Sequence, residues 1–338
     1  MNENMHDVVV IGGGAAGLSA GLVLARARRR ITILDGGAPR NAPAAHMHGF
    51  LSRDGMPPAA LLEAGRAELA GYGVEPITAR VDEVAREDGP EPAFTVRLTG
   101  GASLRARRIL VATGLRDELP DLPGLRERWG KDVLHCPYCH GYEVRDRPIG
   151  VLATGPMAVH QTLLVRQWSS DVVLFGQGRE ISPEDRERLA ARGVTIREGQ
   201  VKRVVADDDG LRGVELADGR VVDRGALFVQ STMIPNDGLL TGLGCAREDG
   251  LVRTDGKGRT AVPGVSAAGN VVNPHAQVIM AAAEGSAAAM ALNADLVEGD
   301  VQRAVRHDRV TGRRATEFGG AVEAMIAEAV LGDRRHGL

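Results

Sequence analysis

The sequence predicts an α/β protein of two Rossmann-like dinucleotide-binding domains, the second inserted in the first. Three observations predict it. A glycine-rich strand–turn–helix opens the chain at residues 8–27. A second strand–turn–helix, altered in its glycines, follows at 148–158. Short apolar runs at 108–114 and 262–270 then read as the strand ends that complete the first domain. A chain of 338 residues is long enough for about two such domains, each able to bury its own core.

In the first domain, Val8–Ile11 is a strand run followed by Gly12, Gly14 and Gly17 in G-x-G-x-x-G spacing. Gly12 makes the tight turn, Gly14 lets backbone N–H groups approach a pyrophosphate, and Gly17 lets helix and strand pack closely. Ala15 and Ala16 complete the turn as cofactor-binding positions, and a helix-forming stretch, Leu18–Ala27, follows, its N-terminus adding partial positive charge. A second strand, Ile31–Leu34, ends in Asp35 and Gly36. Asp35 follows Gly17 by eighteen residues, the place of an acceptor for ribose hydroxyls. Residues 76–100 read as strands with a turn at EDGPEP, and Pro-rich LPDLPG (119–124) reads as a linker. The first domain is expected over 1–117 and 225–300, resuming with Ala226–Gln230, and the insert over 118–224. The insert's strands are expected at Gly150–Leu152, Val172–Phe175, Thr195–Glu198 and on both sides of Ala217-Asp218-Gly219. Residues 301–338 form a more basic extension with a possible helix at Glu317–Leu331, either a dimer-packing tail or a lid.

The second nucleotide turn reads Ala153-x-Gly155-x-x-Ala158, so its first glycine is missing, and Pro156 and Met157 crowd the loop. An alanine methyl there hinders pyrophosphate approach. The next strand ends in GQGRE (176–180), with no acid for a ribose diol and Arg179 alone for a 2′-phosphate. NADP(H) binding is therefore expected to be lost or weakened, against the alternative of a divergent working loop.

At the start of the insert stands HCPYCHGYE (135–143). Alone, it fits haem attachment, half of a zinc site, a glutaredoxin motif or the redox disulfide of a flavoenzyme. Haem attachment needs export, and the N-terminus lacks a signal-peptide pattern. Zinc wants four ligands, but Cys245 is the only other cysteine and reads as a packed thiol; His135 and His140 adjoin the cysteines too closely. A glutaredoxin needs its own small βαβ unit. A redox pair beside a flavin remains: one thiolate exchanges with an outside thiol while the other faces the flavin, and thiolate character controls both steps. His140 is a proton carrier near neutral pH or a merely packed histidine, and Glu143 is a weaker candidate.

Composition limits the partners. The net charge is −3 and aromatics are 3%, without a basic, aromatic-studded face for nucleic acid. No uncharged apolar run is long enough to span a membrane. A cytoplasmic location is expected, where a C-x-x-C is more often redox-active or metal-binding than structural.

GGGAAG (12–17), ATG (112–114), the C-x-x-C and AAGN…AQV (267–278) together resemble the low-molecular-weight thioredoxin reductase family over roughly residues 6–300. Within it, PRNAPAAHMHGF (39–50) and CPYCHGYE (136–143) look like the branch of flavin-dependent dithiol oxidases that close the disulfide of holomycin- and gliotoxin-type antibiotics. The resemblance implies FAD as cofactor, contacted by Ala112, Thr113, Gly114, Gly269, Asn270, Gln277 and Val278, with Arg40, Asn41, His46 and His48 wrapping its ring. Cys136 would meet substrate and Cys139 would face the flavin. His140 stands where reductases carry an aspartate acid, and Asn270 where the family usually has aspartate. The implied reaction oxidises a small dithiol to its disulfide, electrons passing through Cys136 and Cys139 to FAD and then to O2, giving H2O2, in a homodimer. The alternatives are an NADPH-dependent thioredoxin or disulfide reductase, a ferredoxin-fed reductase, and a redox-sensing flavoprotein that does not turn over.

Overall fold

The computed structural model describes residues 5–311. The first sheet has seven strands. Its parallel part runs Ile77–Thr78, Ile31–Asp35, Met5–Ile11 and Ser103–Val111. The long strand Ser103–Val111 then serves two neighbours on one edge: its first half pairs antiparallel with Phe94–Leu98, and its last residues pair parallel with Val265–Ala267. Val81–Arg86 closes the antiparallel end. Val8, Val9 and Val10 are fully buried, as expected of a parallel strand covered on both faces. Each such side chain contributes about 1.5–3 kcal/mol on burial.

A second, five-stranded parallel sheet runs Thr195–Arg197, Val172–Phe175, Ile149–Leu152, Ala226–Val229 and Val133–Leu134. A three-stranded antiparallel sheet, 201–207, 210–216 and 221–223, packs against it through Val204, Leu211, Val214 and Leu216. The sequence reading returned the chain to the first domain at Ala226. The structure corrects this: Ala226–Val229 is a central strand of the second sheet, between Ile149–Leu152 and Val133–Leu134. All four of its residues are buried, and a wholly apolar run reads alike for either sheet. The chain crosses between the two lobes at Leu115–Glu118 and returns at Thr232–Pro235, and these crossings pair antiparallel as a ribbon.

The helix Val278–Thr311 runs unbroken through residue 300, where the extension was expected to begin. By compactness the chain instead divides at 292/293. The helix expected at Glu317–Leu331 lies outside the described residues. Among those described, no helix is long and apolar enough to cross a membrane.

Candidate active site

A cleft of about 1120 Å³ opens at the carboxyl ends of the first sheet's strands, bordered by the crossing ribbon and the C-x-x-C segment. The three glycines of the first turn do three different things. Gly12 has φ +119°, and a Cβ there would lie 2.2 Å from the Ala112 carbonyl oxygen. A Cβ on Gly17 would lie 1.8 Å from the Gly12 oxygen, so Gly17 packs the turn and does not line the cleft. Gly14 has no heavy atom within 4 Å of its Cβ position; it faces open space at the N-terminus of the helix Ala15–Arg26. Asp35 sits behind Gly13, accepting from the Gly37 N–H at 2.9 Å and from Arg66 at 2.9 Å. Arg66 escaped the sequence reading because an arginine on a helix face carries no motif.

Ala112, Thr113 and Gly114 form the next wall. Thr113 Oγ1 donates to the Asn236 carbonyl at 2.7 Å, and Asn236 Nδ2 donates to the Thr113 carbonyl at 2.9 Å, so the loop is clasped to the end of the returning strand. Beside it, at the end of the neighbouring strand Val265–Ala267, the cleft is lined by Gly269, Asn270, Gln277 and Val278. Glu284 holds this lining from the helix behind, accepting from the Gly269 N–H at 2.9 Å and from Asn273 at 2.6 Å. Asn270 Nδ2 donates to the carbonyls of Asn273 and Ala276, both at 3.0 Å, and of Pro274 at 3.3 Å. An ionised aspartate would offer those carbonyls no donor. A Cβ on Gly285 would lie 2.0 Å from the Ala16 oxygen, so the helix from Val278 crosses the Ala15–Arg26 helix backbone against backbone.

Arg40, Asn41, Cys136, Cys139 and His140 also line the cleft. Arg40 pairs with Asp117 through two bonds of 2.7 and 2.8 Å, and Ser231 Oγ donates to Asp117 at 2.6 Å. Burial opposes the Asp117 charge, yet these hydrogen bonds hold its carboxyl below the ordinary range.

Two predicted residues lie elsewhere. His46 and His48 do not border the cleft. The loop folds back on itself through Met47 N to Met56 O and Gly55 N to Met47 O, both 2.9 Å. His46 is exposed and its Nδ1 lies 3.0 Å from the Gly55 oxygen. His48 stands between Asp54 and Glu143, 3.4 Å from each.

The cysteines are free thiols at the two ends of one short turn. Cys136 caps the helix Pro137–His140, and its carbonyl accepts from the N–H groups of Cys139 and His140, both at 3.2 Å. The Cys139 thiol donates to Cys136 and, with the Cys139 and Tyr138 N–H groups and the Gln277 amide, pulls Cys136 down to about 7 against the cost of burial. Cys139 is pushed up by that same donated bond and by burial. Gln277 Nε2 lies 4.0 Å from the Cys139 sulfur. Burial lowers the pKa of His140, with Glu143 opposing and His48 adding to the shift. Cys245 is buried outside this cleft, its thiol pushed up by burial.

His135 is a cleft residue to which the sequence reading assigned no role there. Its ring lies 6.4 Å from that of Trp129, and its buried Nδ1 has no hydrogen-bond partner. Burial and, secondarily, Arg40 favour its neutral form. Its only sequence signal was adjacency to Cys136.

The second nucleotide turn is turned inward. Thr154 Oγ1 donates to the Gln230 carbonyl at 2.9 Å, and a Cβ on Gly155 would meet Gln230 Oε1 at 2.8 Å. Past Phe175, where a ribose acceptor would stand, Gln177 Oε1 accepts from Val201 N at 2.7 Å and its carbonyl accepts from Gln200 at 3.1 Å. Arg179 is exposed. Among the described residues, no three His, Cys, Asp or Glu side chains gather as a metal site.

Residues 6–288 match the family described as pyridine nucleotide-disulphide oxidoreductase. The solved structure titled HlmI is 62% identical, with a TM-score of 0.90 over 92% of this chain and 98% of that one. An oxidoreductase from Agrobacterium tumefaciens is 37% identical, with a TM-score of 0.81 over 87% and 99%. A protein of Claviceps purpurea named thioredoxin reductase tcpT is 33% identical over 79% of this chain and 87% of its own. The architecture is thioredoxin reductase-like.

Proposed function

Because the chain belongs to the pyridine nucleotide-disulphide oxidoreductase family, we propose that it is an FAD-dependent dithiol oxidase acting on a small, natural-product-type dithiol, with O2 as acceptor. The observation that carries this reading is the pairing of an acidic Cys136 and its Cys139 partner on the cleft wall with a nucleotide turn folded onto Gln230. The likeness to HlmI supports it.

FAD fits the cleft. Gly14 leaves open space where a Cβ would intrude, helix N-termini converge there, and the Asp35 carboxylate stands at the strand end. Bound FAD supplies a two-electron acceptor for the Cys136/Cys139 dithiol and a route to O2, which leaves as H2O2. The protein's own residues do the sulfur chemistry. A substrate thiolate attacks Cys136 of the Cys136–Cys139 disulfide, and Cys139 leaves as thiolate. The second substrate thiolate attacks the mixed disulfide, and Cys136 leaves. The backbone N–H groups of Tyr138 and Cys139 and the Gln277 amide, which also favour the Cys136 thiolate, remain in place to make it a better leaving group in this second step. Gln277 stands beside Cys139, and His140, neutral through burial, is placed to take a thiol proton. Arg40, held by Asp117, supplies positive charge at the same wall. A homodimer belongs to the same reading.

The test is oxygen uptake with a panel of small dithiols, comparing wild type with Cys136→Ser and Cys139→Ser. Both variants lose turnover. Full activity in both overturns the reading. One specific observation favours a second reading, an NADPH-dependent reductase: tcpT is named a thioredoxin reductase.

A further inference from the structure

Residues 40–49 belong to the first lobe, yet they meet the second lobe on both sides of the C-x-x-C. Before the motif, a Cβ on Gly130 would lie 2.9 Å from the Pro43 Cβ, so only a glycine lets the insert come this close. After the motif, His48 Nε2 lies 3.4 Å from Glu143 Oε1. The same segment also reaches the neighbour of Cys139. The Cβ position of Gly49 lies 3.9 Å from Gln277 Oε1, and Gln277 Nε2 lies 4.0 Å from the Cys139 sulfur. The segment is anchored at its own end. Met47 is buried and bonded through both its N–H and its carbonyl, to Met56 and Gly55, at 2.9 Å. Asp54 accepts from the Gly49 N–H at 2.9 Å and lies 3.4 Å from His48 Nδ1, so His48 is held before it meets Glu143. Arg40, at the start of the segment, is fixed to Asp117.

We propose that residues 40–49 are a strap that brackets the C-x-x-C turn and fixes Cys139 relative to the first lobe, with His48 and Glu143 as positioning residues. The inference rests on the dithiol-oxidase reading. That chemistry asks different things of the two sulfurs. Cys136 exchanges with a mobile substrate, which adjusts its own approach. Cys139 delivers two electrons to a cofactor bound by the first lobe, so its place has to be set by contacts between the lobes. The helix Pro137–His140 is four residues long, and a single turn does not hold itself. The support comes from outside the turn, at Gly130, Glu143 and Gln277. The His48–Glu143 contact is long and Glu143 is 40% exposed, so its share is small and it acts together with the other two.

The test uses holoenzyme in wild type, His48→Ala, Glu143→Ala and the double variant, with dithiothreitol as the dithiol. Flavin reduction, followed anaerobically by stopped flow, slows about threefold in each single variant and no further in the double variant, because both remove one contact. Alkylation of Cys136 by iodoacetamide keeps its wild-type rate. His48→Arg, which has donors for both Asp54 and Glu143, reduces its flavin at the wild-type rate. A second readout is independent of turnover: amide hydrogen exchange over residues 136–143, read by mass spectrometry, is faster in both single variants than in wild type. Slowing that multiplies in the double variant, an equal fall in Cys136 alkylation, or unchanged exchange in both single variants overturns the strap. If Cys136→Ser and Cys139→Ser take up oxygen with dithiothreitol at the wild-type rate, the dithiol-oxidase reading itself fails. If those two are inactive while His48→Ala and Glu143→Ala match wild type in flavin reduction, the strap alone fails.

Discussion

Cys136 owes its acidity first to the hydrogen atom that Cys139 donates to it. Cys139→Ala removes that donor while keeping the backbone N–H groups. The midpoint of Cys136 alkylation by iodoacetamide, followed against pH by mass spectrometry, is then expected to rise from about 7 towards the ordinary thiol value near 8.5. An unmoved midpoint would assign the shift to the turn's backbone. Asn270 makes a second case. The sequence marked it as a lost negative charge, but in the fold its amide closes the turn ahead of the Val278 helix through three carbonyls. Asn270→Asp is expected to cost about 1–3 kcal/mol in chemical denaturation, because buried acceptors lose their donor. A single residue letter shows that a charge is missing. It does not show which carbonyls a side chain reaches, since these are set by the turn it closes.

At the level of elements, the backbone crossing at Gly285 and Ala16 seats the helix from Val278 directly against the helix that begins at Ala15, and both helices begin at the cleft lining. Gly285→Val forces the helices apart, and we expect most FAD to be lost on gel filtration, read as the flavin-to-protein absorbance ratio. The inward second turn gives another prediction: anaerobic mixing with NADPH leaves the flavin band unbleached on the timescale of turnover. Rapid bleaching would favour the reductase reading. Much of this was legible in the sequence. The first turn was read residue by residue, because only glycine tolerates the close approaches at Gly12 and Gly17 and the spacing repeats that requirement in order. The altered second turn was legible by the same rule. Ala226–Val229 was assigned to the wrong sheet, since its burial on both faces erases the alternation that distinguishes neighbours. The return of the 47–56 loop, which carries His46 and His48 off the cleft lining, is fixed by backbone hydrogen bonds, which leave no trace in residue type.

Across the whole molecule, the helix Val278–Thr311 carries Val297, Val301 and Val305 at four-residue steps, each more than a third exposed. Such a stripe on one helix face suits burial against a second copy. Val297→Asp with Val301→Asp is expected to shift the protein from dimer to monomer in analytical ultracentrifugation, while a wild type that sediments as a monomer would remove the dimer from the proposed function.

The paired crossings Leu115–Glu118 and Thr232–Pro235 also have a mechanical meaning. Two separate tethers would let the lobes wander, whereas two tethers zipped into a ribbon leave one soft coordinate, a twist about its length. Asp117 lies on that ribbon and is riveted to Arg40 on one side and Ser231 on the other. A twist at this point of the ribbon would have to break both bonds of the Arg40–Asp117 pair.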